Sequence, residues 1–313
     1  MNIVYKVFKH LLCMVCFFVL TTSCEQNKRV EMKKIKIGDI ELAYYLRGSG
    51  KPLVMIMGFR GTMGQWDPAL LQELEKNYTL VLFDNRGVGF STDTEQDLTT
   101  IPQMAEDTVN LIKALGYDKV YLLGWSMGSR IAQNIAMTHP TLVDKLILCS
   151  PNPGGKHQVP RKTDTYQKLT ELNLTREGLL SLIFPQTVQG RLAASEVVMR
   201  LTTAIEKGSV PEDLNITNQT IQRQMHALQL WSENDTYFES LSNLLVPTLV
   251  ASGLDDVVDD PENARRVANQ IPFAWSAYFS GAGHAFLFQD YKNFSELVHV
   301  FLSGSAPNPA KGS

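Results

Sequence analysis

The chain has 313 residues, enough for one large domain carrying an insertion and more than a minimal core requires. Hydrophobic residues make up 44% of it and charged residues 19%, a globular composition that excludes an intrinsically disordered chain. The net charge is −3, with acids and bases spread along the sequence, so neither a basic surface for nucleic acid nor an acidic tail is expected.

The N-terminus has its own character. Lys6 and Lys9 precede an apolar run over residues 11–20, too short to span a bilayer as a helix but suited to a signal-peptide core. Thr21-Thr22-Ser23-Cys24 follows and resembles the lipobox of bacterial lipoproteins, with Thr21 where an apolar residue is usual. Residues 1–23 therefore read as a signal peptide. Cys24 reads as a lipidation site that would hold the exported protein at a membrane; plain secretion is the alternative. Of the four cysteines, Cys13 and Cys16 would leave with the signal, and Cys149 lies in an apolar run. No disulfide framework or cysteine-based metal site is expected, and no cofactor is implied.

Residues 24–34 are polar and read as a tether. Residues 35–46 predict a hairpin turning near Gly38, and residues 52–57 a buried strand. A helix is expected over 66–76, a strand over 78–83 and a helix over 101–115. A strand over 120–123, a helix over 127–137 and a strand over 146–149 follow. Short apolar runs alternating with amphipathic stretches imply an α/β fold, with a mostly parallel central sheet covered by helices on both faces. The alternation breaks over residues 153–243, where only helical patterns occur, within 165–172, 177–183, 192–205 and 221–231. It resumes with a strand over 247–252, a helix over 261–270, a strand over 277–280 and a closing helix over 286–302. The expected organisation is a core in two parts, 35–152 and 244–303, a helical cap over 153–243, and a frayed tail over 304–313.

Gly124-Trp125-Ser126-Met127-Gly128 fits the pattern G-x-S-x-G. The pattern alone is weak; here it follows a predicted strand and opens a predicted helix, the setting a nucleophile elbow requires. A sharp strand-to-helix turn would project the Ser126 hydroxyl, and only glycine fits at 124 and 128, where the backbone segments approach. With these residues the chain resembles the α/β-hydrolase superfamily over residues 35–303. Asp84-Asn85-Arg86-Gly87-Val88-Gly89-Phe90-Ser91 is similar to a structural loop of that family.

A serine hydroxyl needs a base, and the base an orienting carboxylate. The resemblance implies the chain order serine, acid, histidine. Of the six histidines, His284 alone follows a late strand on a glycine-rich loop, Gly281-Ala282-Gly283-His284. The family places its acid three residues after the glycine that ends the preceding strand; counted from Gly253 this is Asp256, with Asp255 as its rival. Asp259 and Asp260 read as caps of the helix that begins at Pro261.

Acyl transfer also needs two N–H donors for the oxyanion. The resemblance assigns them to Met127 and to Phe59 in the loop Met57-Gly58-Phe59-Arg60-Gly61. Met57 stands where most relatives have histidine, so the loop lacks its usual support. A bacterial branch with Met-Gly here and a tryptophan shortly after (Trp66) is the most similar. Arg60 reads as a solvated loop residue or a substrate-carboxylate anchor. Phe184, Met199, Met225, Leu228 and Trp231 are candidate lining of the cap. The implied activity is hydrolysis of a small ester or lactone through an acyl-serine. The alternatives are a lyase or cofactor-free haloperoxidase with the same three residues, or a lipid-anchored binding protein that has lost the chemistry.

Overall fold

The computed structural model describes residues 29–94, 99–212 and 216–304; the signal-peptide region, Cys24 and the tail beyond Gly304 lie outside them. Eight strands form one sheet: β1 (Lys33–Ile37), β2 (Ile40–Arg47), β3 (Lys51–Ile56), β4 (Tyr78–Phe83), β5 (Val120–Trp125), β6 (Val143–Cys149), β7 (Thr248–Gly253) and β8 (Ala274–Phe279). Their order is β1-β2-β4-β3-β5-β6-β7-β8. The first two are antiparallel to their neighbours, and the rest run parallel. The hairpin β1–β2 turns at Gly38, whose φ of 59° lies in the left-handed region that favours glycine.

The parallel strands read as continuous apolar runs because both faces of the sheet are buried. Leu53, Met55, Tyr121, Leu123 and Trp125 pack into one core cluster, while Val54, Ile56, Val120 and Leu122 pack into the other. Helices α1 (Pro68–Leu74) and α11 (Tyr291–Ser303) cover the first face; α2 (Ile101–Ala114), α3 (Met127–Thr138) and α9 (Pro261–Gln270) cover the second.

Between β6 and β7 the chain forms α4 (Thr163–Thr170), α5 (Arg176–Ile183), α6 (Val188–Glu206), α7 (Asn218–Ser232) and α8 (Thr236–Ser240), with no strand among the described residues. Three of these helices start at a threonine whose hydroxyl accepts an N–H of the first turn: Thr175, Thr187 and Thr217.

Two expected helices differ. The one placed over 66–76 is only Pro68–Leu74, because Asp67 caps it by accepting from Ala69 N–H and Pro68 occupies the first turn. The closing helix is two: α10 (Phe286–Gln289) ends at Asp290, whose φ of −122° and ψ of 52° are not helical, and α11 restarts from it.

Candidate active site

Four loops leave the carboxyl ends of parallel strands on one edge of the sheet, where open α/β sheets place their ligands. They follow β3 (Phe59), β5 (Ser126), β7 (Asp256) and β8 (His284).

Ser126 holds φ 58° and ψ −117° between β5 and α3, a conformation rarely tolerated by a residue with a side chain. The surroundings over-determine it. Ser126 N–H donates to Cys149 O at 2.9 Å, and its own carbonyl accepts from Ser129 N–H at 3.0 Å and Ser129 Oγ at 2.6 Å. A Cβ on Gly124 would sit 2.2 Å from Gly128 O, and one on Gly128 only 2.0 Å from Ile56 O. Both positions are closed to any side chain, and this draws α3 against β3 and aims its first N–H groups at the loop edge.

Asp256 and His284 are 95% and 97% buried. His284 Nδ1 lies 2.7 Å from Asp256 Oδ2. Asp256 Oδ1 accepts from Val258 N–H at 2.8 Å and Asp259 N–H at 2.9 Å, so both carboxylate oxygens are satisfied without water. The neighbouring Asp255 is exposed and offers its N–H to Ala282 O at 2.9 Å. The imidazole is further fixed through its backbone. Trp125 Nε1 donates to His284 O at 2.9 Å, and Ala285 N–H donates to Ile183 O at 2.9 Å. A Cβ on Gly253 would meet Ala282 O at 2.2 Å, so the β8 loop folds directly onto the end of β7. Sequence reasoning passed over Trp125, although its place beside the serine was the available signal.

Ser126 and His284 line one cavity of about 90 Å³. Among the described residues no hydrogen bond joins Ser126 Oγ to the imidazole. Gly58, Phe59, Trp125, Leu201, Leu228 and Phe288 line the same cavity. Of the expected cap lining, Phe184 and Leu228 are there. Met199 is instead 64% exposed on the outer face of α6. Trp231 is buried, stacked on Tyr237 at 4.1 Å with its Nε1–H donated to Asn152 O, and Met225 does not reach the cavity wall. A larger cleft of about 680 Å³ shares Gln65 and Leu179 but touches none of Ser126, Asp256 and His284.

The loop after β3 packs on Ser126. A Cβ on Gly58 would lie 3.1 Å from Ser126 Cβ and 3.7 Å from its Oγ. With Met57 in place of a histidine, the loop is held from elsewhere: Asn85 Nδ2 donates to Met57 O, and Gly61 N–H donates to Gly58 O. Arg60, at φ 63°, is buried rather than solvated and lines the larger cleft. Its N–H donates to Gln224 Oε1 at 3.0 Å and its Nη2 to Glu171 O at 2.6 Å, tying this loop to the helical insert.

Asp259 is a correction too. Asp260 alone caps α9, accepting from Glu262 N–H. Asp259 is fully buried between Arg130 and Arg161, each donating from Nη2 to both carboxylate oxygens at 3.0–3.1 Å, with Asn152 Nδ2 at 3.0 Å. Burial would push its carboxyl up, but the two guanidinium charges outweigh this and leave it at about 2. The Cys149 thiol is buried and pushed well up, so it is inert. Among the described residues no cluster of three or more His, Cys, Asp or Glu could hold a metal ion.

The chain is 27% identical over 254 residues to RutD of Caulobacter sp. (strain K31), named as a proposed carbamate hydrolase, covering 81% of this chain and 91% of that protein. It is 24% identical to 2-hydroxy-6-oxo-6-(2'-aminophenyl)hexa-2,4-dienoic acid hydrolase of Metapseudomonas resinovorans, over 87% of this chain and 91% of that one. An alpha/beta hydrolase fold protein from Chitinophaga pinensis superposes with a TM-score of 0.79 at 26% identity, over 89% of this chain and 99% of that chain. The family model for the alpha/beta hydrolase fold matches residues 51–291, and with the eight-stranded sheet and its loops this places the chain in the α/β-hydrolase family of enzymes.

Proposed function

We propose that this enzyme is a serine hydrolase that cleaves a small ester or lactone through an acyl-serine. Ser126 is the nucleophile. His284 takes its proton as general base and returns it to the leaving group, while Asp256 fixes the imidazole tautomer and stabilises the imidazolium. The tetrahedral oxyanion is held by the N–H groups of Phe59 and Met127. Water attacks the acyl-serine in the second half of the cycle. The observation that carries this reading is the strained Ser126 elbow sharing one cavity with an imidazole whose far nitrogen sits 2.7 Å from a buried carboxylate.

The cavity volume supports a small acyl group, since pockets for drug-sized ligands hold roughly 300–1,000 Å³. The helical insert supplies Leu169, Phe184, Leu201 and Leu228 to the cavity wall and is proposed to select the substrate. The lipobox-like run before Cys24 supports export and a lipid anchor at a membrane. The test of the chemistry is a fluorophosphonate probe: it should label the wild type at Ser126 and leave Ser126→Ala unlabelled and without esterase turnover. Turnover near wild type in Ser126→Ala would remove Ser126 from the mechanism.

A further inference from the structure

We infer that the cavity beside Ser126 contains a carboxylate-binding subsite built on Arg130 and Arg161, so that the substrate is a compact ester or lactone bearing a free acid. The inference rests on the serine-hydrolase reading and names the substrate class for it. Both arginines line the cavity together with Ser126 and His284. Arg130 is 98% buried, yet only its Nη2 is paired, with Asp259. Its Nε and Nη1 are buried with no hydrogen-bond partner.

A guanidinium offers five N–H donors in a planar fork and cannot deprotonate to escape an unpaired state. Each buried donor left unmade costs about 1–3 kcal/mol, more on a charged group, so an acceptor is called for. The two carboxylates beside it do not supply it. Both oxygens of Asp259 already serve two arginines and Asn152. Asp256 Oδ1 is taken by two backbone N–H groups, and its Oδ2 faces His284. Arg161 brings a second guanidinium to the same cavity wall, and paired guanidinium groups suit a carboxylate.

Position sets the size of the compound. Arg130 lies in the first turn of α3, four residues after Ser126, and both line a cavity of only about 90 Å³. The acid and the scissile carbonyl must therefore be separated by only a few bonds. The remaining wall is apolar, with Val258, Leu201 and Leu228 among it, and suits a short hydrocarbon spacer. A bound water could also satisfy Arg130, and it would not distinguish an acid from its amide.

The test uses Ser126→Ala protein and calorimetric titration with butyrate and with the isosteric neutral butyramide at pH 7. Butyrate is expected to bind at least tenfold more tightly, and Arg161→Gln in the same background should remove most of that preference. Equal affinity for the two ligands overturns the subsite. Wild-type enzyme should likewise favour p-nitrophenyl hemisuccinate over p-nitrophenyl butyrate at least tenfold in kcat/KM; no preference overturns it. If butyrate binds selectively but the fluorophosphonate leaves Ser126 untouched, the subsite stands and the hydrolase reading alone fails. If Ser126 labels and both ligands bind alike, the subsite alone fails.

Discussion

Gly58→Ala separates geometry around the nucleophile from stability of the fold. The added methyl would lie 3.1 Å from both Ser126 Cβ and Trp125 O, and 3.7 Å from Ser126 Oγ. Carbon atoms are at ease at about 3.5–4.0 Å, so the loop must retreat by a few tenths of an ångström. The backbone here needs no left-handed φ, and the clash meets a loop rather than a packed element. The expected cost is about 1 kcal/mol, the lower end for overpacking, and a fall in Tm of a few degrees. The rate should suffer far more. On the proposed assignment the retreat carries the Phe59 N–H away from the oxyanion, and loss of one such donor lowers kcat by roughly 10²–10³. Gly128→Ala is the contrast, because its methyl would stand 2.0 Å from Ile56 O and neither α3 nor β3 can yield. That variant should fail to accumulate as folded protein. The assay is kcat and KM on p-nitrophenyl butyrate beside a thermal melt. Gly58→Ala with kcat within threefold of wild type, or with a fold as damaged as that of Gly128→Ala, would refute the assignment of this loop to the oxyanion.

Asp256→Asn should lower kcat by roughly 10³–10⁴ through a mis-set imidazole tautomer, whereas Asp255→Asn, at an exposed side chain, should stay within about twofold; steady-state kinetics on the same ester reads both, and the reverse order would hand the role to Asp255. Cys24→Ser should move the protein from the membrane fraction to the soluble one, because a lipid chain contributes about 0.8 kcal/mol per buried CH₂ and nothing else in residues 24–34 is apolar enough to replace it. Retention of that variant at the membrane after fractionation would rule out lipidation.

Much of the sheet was legible because periodicity reports local burial. Runs such as residues 120–123 are apolar on both faces, and β5 extends to Trp125 only because the elbow begins one residue later. Ser126 and His284 were legible as punctuation, each in a glycine-rich turn after a strand. The carboxylate that meets His284 was legible only to within a neighbour. Asp255 and Asp256 differ in which one turns inward, and that is decided by the bond from Asp255 N–H to Ala282 O, formed with the other loop. Arg60 and Asp259 were misread because their partners are distant in sequence: Arg60 meets Gln224 and Glu171, and Asp259 meets Arg130. Helical spacing marked Met199 and Trp231 as apolar, but it carries no information on which neighbour, if any, a helix face meets. Arg130 did leave a signal, one turn beyond the nucleophile, where a charge on a buried helix calls for a partner.

These distant bonds have a common geometry. The helical insert grips three of the four loops at the sheet edge. Arg60 joins it to the β3 loop through Glu171 and Gln224, Arg161 joins it to the β7 loop through Asp259, and Ile183 O receives Ala285 N–H from the β8 loop. The β5 elbow is gripped instead from below by Gly128 against β3. Hydrogen bonds to charged groups contribute about 1.5–3 kcal/mol each, so lifting the insert as a body would break several such contacts together. Ser126 is thus fixed by the core alone, while His284, Asp256 and the β3 loop are fixed jointly by core and insert. On the proposed function, a substrate that packs well against the insert also holds the groups that act on Ser126, and this physical link couples substrate fit to rate.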